Sequence, residues 1–280
     1  MEHFASYDGT PIAYRVEGSG DPLVLIPGGP ARPSGYFGDL AGLAADRQLI
    51  FFDLRGTGES GTPEDTSTYR VDRHADDVIA LIDHLGLTTV DLLGHSAGAG
   101  IAIFLAIGHS DRVRKLVLLT PSARVLGIPM VGFEEAWDAR KDEPWYAEAV
   151  AADEALDALP DDADPAERDR LISLVMPFFY KRWDAVAQAH SASFPPVDAV
   201  LTGYYRDYVA DAPAMRMQLA EVTTPTLVVA GDVDAMPAPA TATAIANEFP
   251  RGATVTIPGG HYPWLDDPAA LRTTINEFLA

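Results

Sequence analysis

Short runs of β-branched and leucine residues recur along this chain at 12–16, 23–26, 49–53, 90–93, 116–119, 227–230 and 255–257, and most are separated by long stretches with helical spacing. This rhythm is the feature that most limits the fold. Strands so far apart in sequence do not close as hairpins; they pair in parallel, and the segments between them cross over as helices on the faces of the sheet. Val71, Ala75, Val78, Ile79, Ile82 and Leu85 fall on one helical face and Gly86 follows, which predicts a helix over 72–85 with a glycine stop. Near the end, Asp267 and Pro268 have the character of an N-cap and first-turn proline ahead of Leu271, Ile275, Phe278 and Leu279, so a docked helix closes the chain. The expected class is α/β, with a mostly parallel central sheet and flanking helices, and 280 residues fit one large domain.

The rhythm breaks after Leu119. From 122 to 216 no run reads as a buried strand, while prolines, aromatics and carboxylates accumulate, 18 acidic residues against nine basic ones. The segment reads as a helical insertion with a solvated acidic surface, Pro160, Asp161, Asp162 and Asp164 forming one of its loops. Residues 1–121 and 217–280 then make up the core. The insertion's aromatics, including Trp137, Trp145, Phe178, Phe179, Tyr180, Trp183 and Tyr205, are expected to divide between its own interior and the lining of a substrate pocket.

Chemistry is concentrated in Asp91-Leu-Leu-Gly-His-Ser-Ala-Gly-Ala-Gly100, where a buried strand runs into Gly94-His95-Ser96-Ala97-Gly98 and then into an apolar helix. A serine presented on so tight a strand-to-helix turn needs strained backbone angles, and side chains two positions before and after it collide with the neighbouring helix and strand, so Gly94 and Gly98 are required there. A serine hydroxyl is a poor nucleophile until a base takes its proton, and that base needs an acid to hold its tautomer. His261, in a glycine-flanked loop after the last strand, is the preferred base. Asp232 and Asp234 both follow the strand at 227–230; Asp234 is preferred as the acid, with Asp232 as a turn-capping residue. Two backbone amides are expected to hold the oxyanion, that of Ala97 behind the nucleophile and that of Gly29 in Pro27-Gly28-Gly29-Pro30. His95 is expected to pack beneath the turn, and His74, His84, His109 and His190 lack metal-ligand spacing, so neither metal nor cofactor is expected.

Composition narrows the partners. With 41 Asp and Glu against 20 Lys and Arg, the formal charge of -21 repels nucleic acid and anionic membrane surfaces. The absence of cysteine removes disulfides, thiolate catalysis and Cys-ligated metals. No stretch has the length and hydrophobicity of a signal peptide or a membrane span, and cytoplasmic residence is the expectation. The expected partner is a small-molecule or short-peptide substrate.

Ser96, Asp234, His261 and the Pro-Gly-Gly-Pro loop, in this chain order, resemble the α/β-hydrolase superfamily across nearly the whole sequence, and Asp53-Leu-Arg-Gly-Thr-Gly-Glu-Ser60 is similar to its D-x-R-G-x-G-x-S loop. The resemblance implies an α/β-hydrolase fold whose lid enters after the strand at 116–119, making 122–216 a cap over the active site. Within the superfamily the chain is most similar to the proline-iminopeptidase-like serine peptidases and amide hydrolases, which implies cleavage of an amide at a free N-terminal amino acid. It has Pro27-Gly-Gly-Pro-Ala31 where that branch has HGGPG, and Ala97-Gly-Ala99 where the branch has Trp-Gly-Gly. A carboxylesterase, lactonase or thioesterase is the alternative, and a non-catalytic ligand receptor a minor one.

Overall fold

The computed structural model describes residues 1–160, 163–206, 208 and 211–280. At the centre of its eight-stranded sheet lies β5 (Val90–His95), buried at every residue. A strand covered on both faces is apolar throughout, and the one charge it carries, Asp91, is matched by Arg47 at 3.1 Å and Arg114 at 2.6 Å. The sheet order is β1 (Glu2–Ala5), β2 (Pro11–Glu17), β4 (Gln48–Phe52), β3 (Pro22–Ile26), β5, β6 (Val113–Leu119), β7 (Thr226–Gly231) and β8 (Gly252–Ile257). The first two strands run antiparallel, and the remaining pairs from β3 to β8 are parallel. All seven predicted strands are present. The edge strand β1 was not anticipated, because only Phe4 of its four residues is buried and the stretch carries no apolar pattern.

The helices are, in chain order, α1 (His74–His84), α2 (Gly98–Gly108), α3 (Phe133–Asp138), α4 (Tyr146–Asp157), α5 (Pro165–Val175), α6 (Ala185–Ala192), α7 (Asp198–Tyr204), α8 (Ala212–Leu219), α9 (Pro239–Ala246), α10 (Pro263–Asp266) and α11 (Pro268–Leu279). Because strand side chains alternate, Val24, Leu92, Leu118 and Val228 face Val78, Ile101 and Ile245 of α1, α2 and α9. Leu25, Leu93, Val117 and Val229 face Phe37 and Leu271, Ile275 and Leu279 of α11 on the opposite side. The expected punctuation is in place: Gly86 closes α1 at φ +66, and Asp267 accepts the Ala270 amide at 2.9 Å to start α11.

Among the described residues no strand interrupts 122–216. Helices α3 to α7 lie within it and α8 runs to Leu219, three residues past the expected boundary. The insertion has an apolar interior of its own, where the Trp137 and Phe178 rings stack at 3.7 Å beside Leu171 and Val175. Several of its carboxylates cap helices: Asp164, Asp184 and Asp211 accept first-turn amides of α5, α6 and α8. Asp161 and Asp162, read as an acidic loop, lie outside the described residues. Among the described residues no helix is long and apolar enough to cross a membrane.

The topology itself locates a crevice. The chain passes outward from β3 to β4 and then returns to β5 on the other side of β3, so the loops leaving the carboxyl ends of β3 and β5 diverge. The first is Pro27-Gly-Gly-Pro; the second is the turn bearing Ser96.

Candidate active site

Ser96 directly follows β5 at φ +52, a left-handed conformation that residues with a side chain seldom adopt. It is held there by its neighbours: its amide donates to Leu119 C=O at 3.0 Å, and its carbonyl accepts from Ser122 N–H at 3.0 Å and Ala99 N–H at 3.1 Å. The flanking glycines are needed for space. A Cβ on Gly94 would lie 2.8 Å from Ala99 Cα in α2, and one on Gly98 would lie 2.5 Å from the carbonyl oxygens of Ile26 and Pro27 at the end of β3. The Ser96 side chain is half-buried and its Oγ has no hydrogen-bond partner among the described residues. In serine nucleophile sites the contact to the base is often long before substrate binds.

His261 and Asp234 are brought together from separate loops. Nδ1 of His261 lies 2.9 Å from Oδ2 of Asp234, both side chains are almost wholly buried, and the other Asp234 oxygen accepts the Met236 amide at 2.9 Å. A carboxylate only accepts, so Nδ1 carries the proton and Nε2 keeps the lone pair in the neutral ring. Asp232, the alternative acid, instead accepts Gly259 N–H at 2.9 Å and pairs with Lys181 at 3.1 Å. The insertion lies directly against this loop: His261 N–H donates to Phe179 C=O at 2.8 Å, and the Phe179 ring meets the imidazole edge-on at 5.3 Å. Gly260 makes the approach possible, since a Cβ there would sit 2.7 Å from the Phe179 oxygen.

Among the described residues the amides of Gly29 and Ala97 find no acceptor in any turn or loop contact. That of Gly28 is already used, donating to Tyr36 Oη at 2.8 Å. Tyr36 Oη lies 2.7 Å from His95 Nδ1, and His95 Nε2 lies 3.0 Å from the His261 carbonyl. That carbonyl can only accept, so His95 donates from Nε2 and accepts at Nδ1, which makes the Tyr36 hydroxyl the donor to it. Burial holds His95 well below its ordinary pKa, in keeping with a neutral ring. Thr120 Oγ1 donates to the same His261 carbonyl at 3.0 Å. His95 was expected under the turn; Tyr36 and Thr120 were not, as neither stands in a motif.

One cavity of about 480 Å³ is lined by Pro30, which follows Gly29, and by Arg124, Leu201, Thr202, Tyr205 and Arg206. A cavity of about 510 Å³ between Asp46 and α11 is remote from Ser96. Among the described residues no group of three His, Asp or Glu is placed to hold a metal ion.

The chain is 39% identical to 2-hydroxymuconate semialdehyde hydrolase of Pseudomonas putida over 123 residues, 43% of each chain. It is 26% identical to proline iminopeptidase of Levilactobacillus brevis over 278 residues, 92% of this chain and 88% of that one. It thus spans less than half the length of the first of these relatives. An esterase structure from Exiguobacterium antarcticum shares the fold, with a TM-score of 0.75 at 23% identity, covering 99% of this chain and 98% of the other. The α/β-hydrolase fold model matches residues 21–268, from the start of β3 to the start of α11, and the chain belongs to this family of hydrolases.

Proposed function

We propose that this chain is a serine hydrolase that cleaves carboxylic esters or lactones through an acyl-enzyme, with the 122–216 insertion as its cap. The observation that carries the reading is the Asp234–His261 hydrogen bond at 2.9 Å, together with a serine held at φ +52 between β5 and α2. Nε2 of His261 takes the Ser96 proton as Oγ attacks the substrate carbonyl, and the Gly29 and Ala97 amides receive the oxyanion, a contribution of about 3 to 4 kcal/mol per donor in comparable sites. The imidazolium then returns its proton to the leaving oxygen, and water repeats the sequence on the acyl-enzyme. Asp234 orients the ring and stabilises its charged form throughout.

A free N-terminal amine would need a carboxylate opposite it, and the cavity behind the Gly29 loop is lined by Arg124 and Arg206 with no carboxylate among the described residues. Esters therefore rank first. An amide of an N-terminal amino acid is the second reading, favoured by the similarity to proline iminopeptidase. Rates on short-chain esters, aminoacyl p-nitroanilides and their N-blocked forms, with Ser96→Ala as the blank, test both. The expected outcome is ester turnover, lost by roughly 10⁴ or more in the variant. Unchanged turnover in Ser96→Ala overturns the mechanism; a strong preference for free-amine anilides replaces the first reading by the second.

A further inference from the structure

We propose that the cavity walled by Pro30, Arg124 and Arg206 is a carboxylate subsite, and that the acyl part of the substrate carries a free carboxylate seated there. The inference rests on the serine-hydrolase reading for its orientation. In a chain where 41 carboxylates face 20 Lys and Arg, an arginine without a carboxylate partner is out of the ordinary. Two of them line this one cavity: among the described residues no carboxylate lies within 4 Å of Arg124 or Arg206. The Arg124 guanidinium lies 4.1 Å over the Tyr205 ring. Stacking occupies the face of the guanidinium and leaves its N–H donors at the edge, the fork geometry that suits a carboxylate.

Two residues of the cavity wall belong to segments that frame the nucleophile turn. Pro30 directly follows Gly29, and Arg124 N–H donates at 3.3 Å to Oγ of Ser122, whose own amide holds the Ser96 carbonyl at 3.0 Å. It contains no residue of the His261 loop and not Phe179. A leaving oxygen must lie on the His261 side to receive its proton, so this space falls to the acyl chain. The net charge of -21 does not oppose such a ligand at contact, because charges beyond about 8 Å are screened at physiological salt while the two arginines act at hydrogen-bond range.

The test has two arms. Rates on the monomethyl esters of succinate, glutarate and adipate are compared with those on neutral methyl esters of matching length, the series reporting the reach from Ser96 to the arginines. Separately, calorimetry measures glutarate and pentanoate binding, which needs no turnover. The anionic esters are expected to be favoured at least tenfold in kcat/KM at one chain length. That ratio should fall about tenfold in Arg124→Gln and further with Arg206→Gln, and glutarate affinity should fall in parallel. Arg272→Gln, at the remote pair with Asp46, makes the same charge change and should leave the ratio unaltered. A wild-type ratio near one, or glutarate bound no better than pentanoate, overturns the subsite. Glutarate binding that depends on Arg124 without turnover of any ester supports the subsite and sinks the hydrolase reading instead.

Discussion

Tyr36→Phe removes a single oxygen on which two buried groups depend. Phenylalanine keeps the ring stacked on Phe37 at 4.4 Å and under the Arg32 guanidinium at 4.6 Å, so packing changes little. What is lost is the acceptor for Gly28 N–H and the donor to His95 Nδ1, both sealed from water. An unsatisfied buried polar group costs about 1 to 3 kcal/mol, and two of them with partial relaxation come to about 2 to 4 kcal/mol, a large part of the roughly 5 to 15 kcal/mol that stabilises a domain. The consequence for rate follows from position. Gly28 fixes the loop that offers the Gly29 amide, and His95 fixes the carbonyl of His261, so kcat should drop about tenfold, or about 1.4 kcal/mol, with KM within a factor of about two. Urea unfolding followed by tryptophan fluorescence gives the first quantity, and ester kinetics on the folded variant give the second. A stability change under about 0.5 kcal/mol together with an unchanged kcat would refute the network.

Gly98→Ala pushes a methyl group against two backbone carbonyls that cannot swing aside, so it should lower stability by about 1 to 3 kcal/mol and, by displacing Pro27, reduce kcat more than it raises KM; a wild-type melting temperature and rate would show that the turn has slack. Burial lowers the pKa of His74 from 6.5 to about 4, so between those values the unfolded chain binds a proton that the folded chain refuses, and stability present above pH 6.5 is lost as the pH falls. That loss is about 1 kcal/mol between pH 7 and pH 5.5, and His74→Phe, which keeps a ring against Tyr204, should abolish it; equal losses in the two proteins would assign the acid sensitivity elsewhere.

The parts of the site that were legible in the sequence are those whose chemistry demands a local pattern. Ser96 needs its glycines within two residues, and the clashes a Cβ would make at Gly94 and Gly98 are the reason the pattern is short and readable. Asp234 and His261 each follow a strand; β7, buried at every residue, reads as an apolar run, while the edge strand β8 is legible only through its β-branched residues. The choice of Asp234 over Asp232 was harder, since it depends on which carboxylate the Gly259 amide and Lys181 engage, and those partners come from other segments. Among the insertion's aromatics Trp137 and Phe178 pack inward, Phe179 meets the His261 ring and Tyr205 lines the cavity with Arg124, and no spacing distinguishes these places. Their roles are set by tertiary contacts alone.

Arg32 shows why those contacts matter to the chemistry. It is buried with no carboxylate partner among the described residues, and its charge is met by carbonyl oxygens of His190, Ser193 and Phe194, at and beyond the negative end of α6, while Nη1 donates to Tyr262 Oη at 2.9 Å. Through Arg32 the oxyanion loop is bonded to the insertion and to the residue after His261; through Tyr36 and His95 it is bonded to the carbonyl of His261 itself. His190 adds a further tie, its Nε2 lying 3.0 Å from the Tyr36 carbonyl. The Gly29 loop and His261, more than 200 residues apart in sequence, therefore share one buried polar frame, and an insertion that shifted would carry both with it. On the proposed serine-hydrolase reading, that coupling gives the 122–216 segment a part in aligning Gly29 with His261.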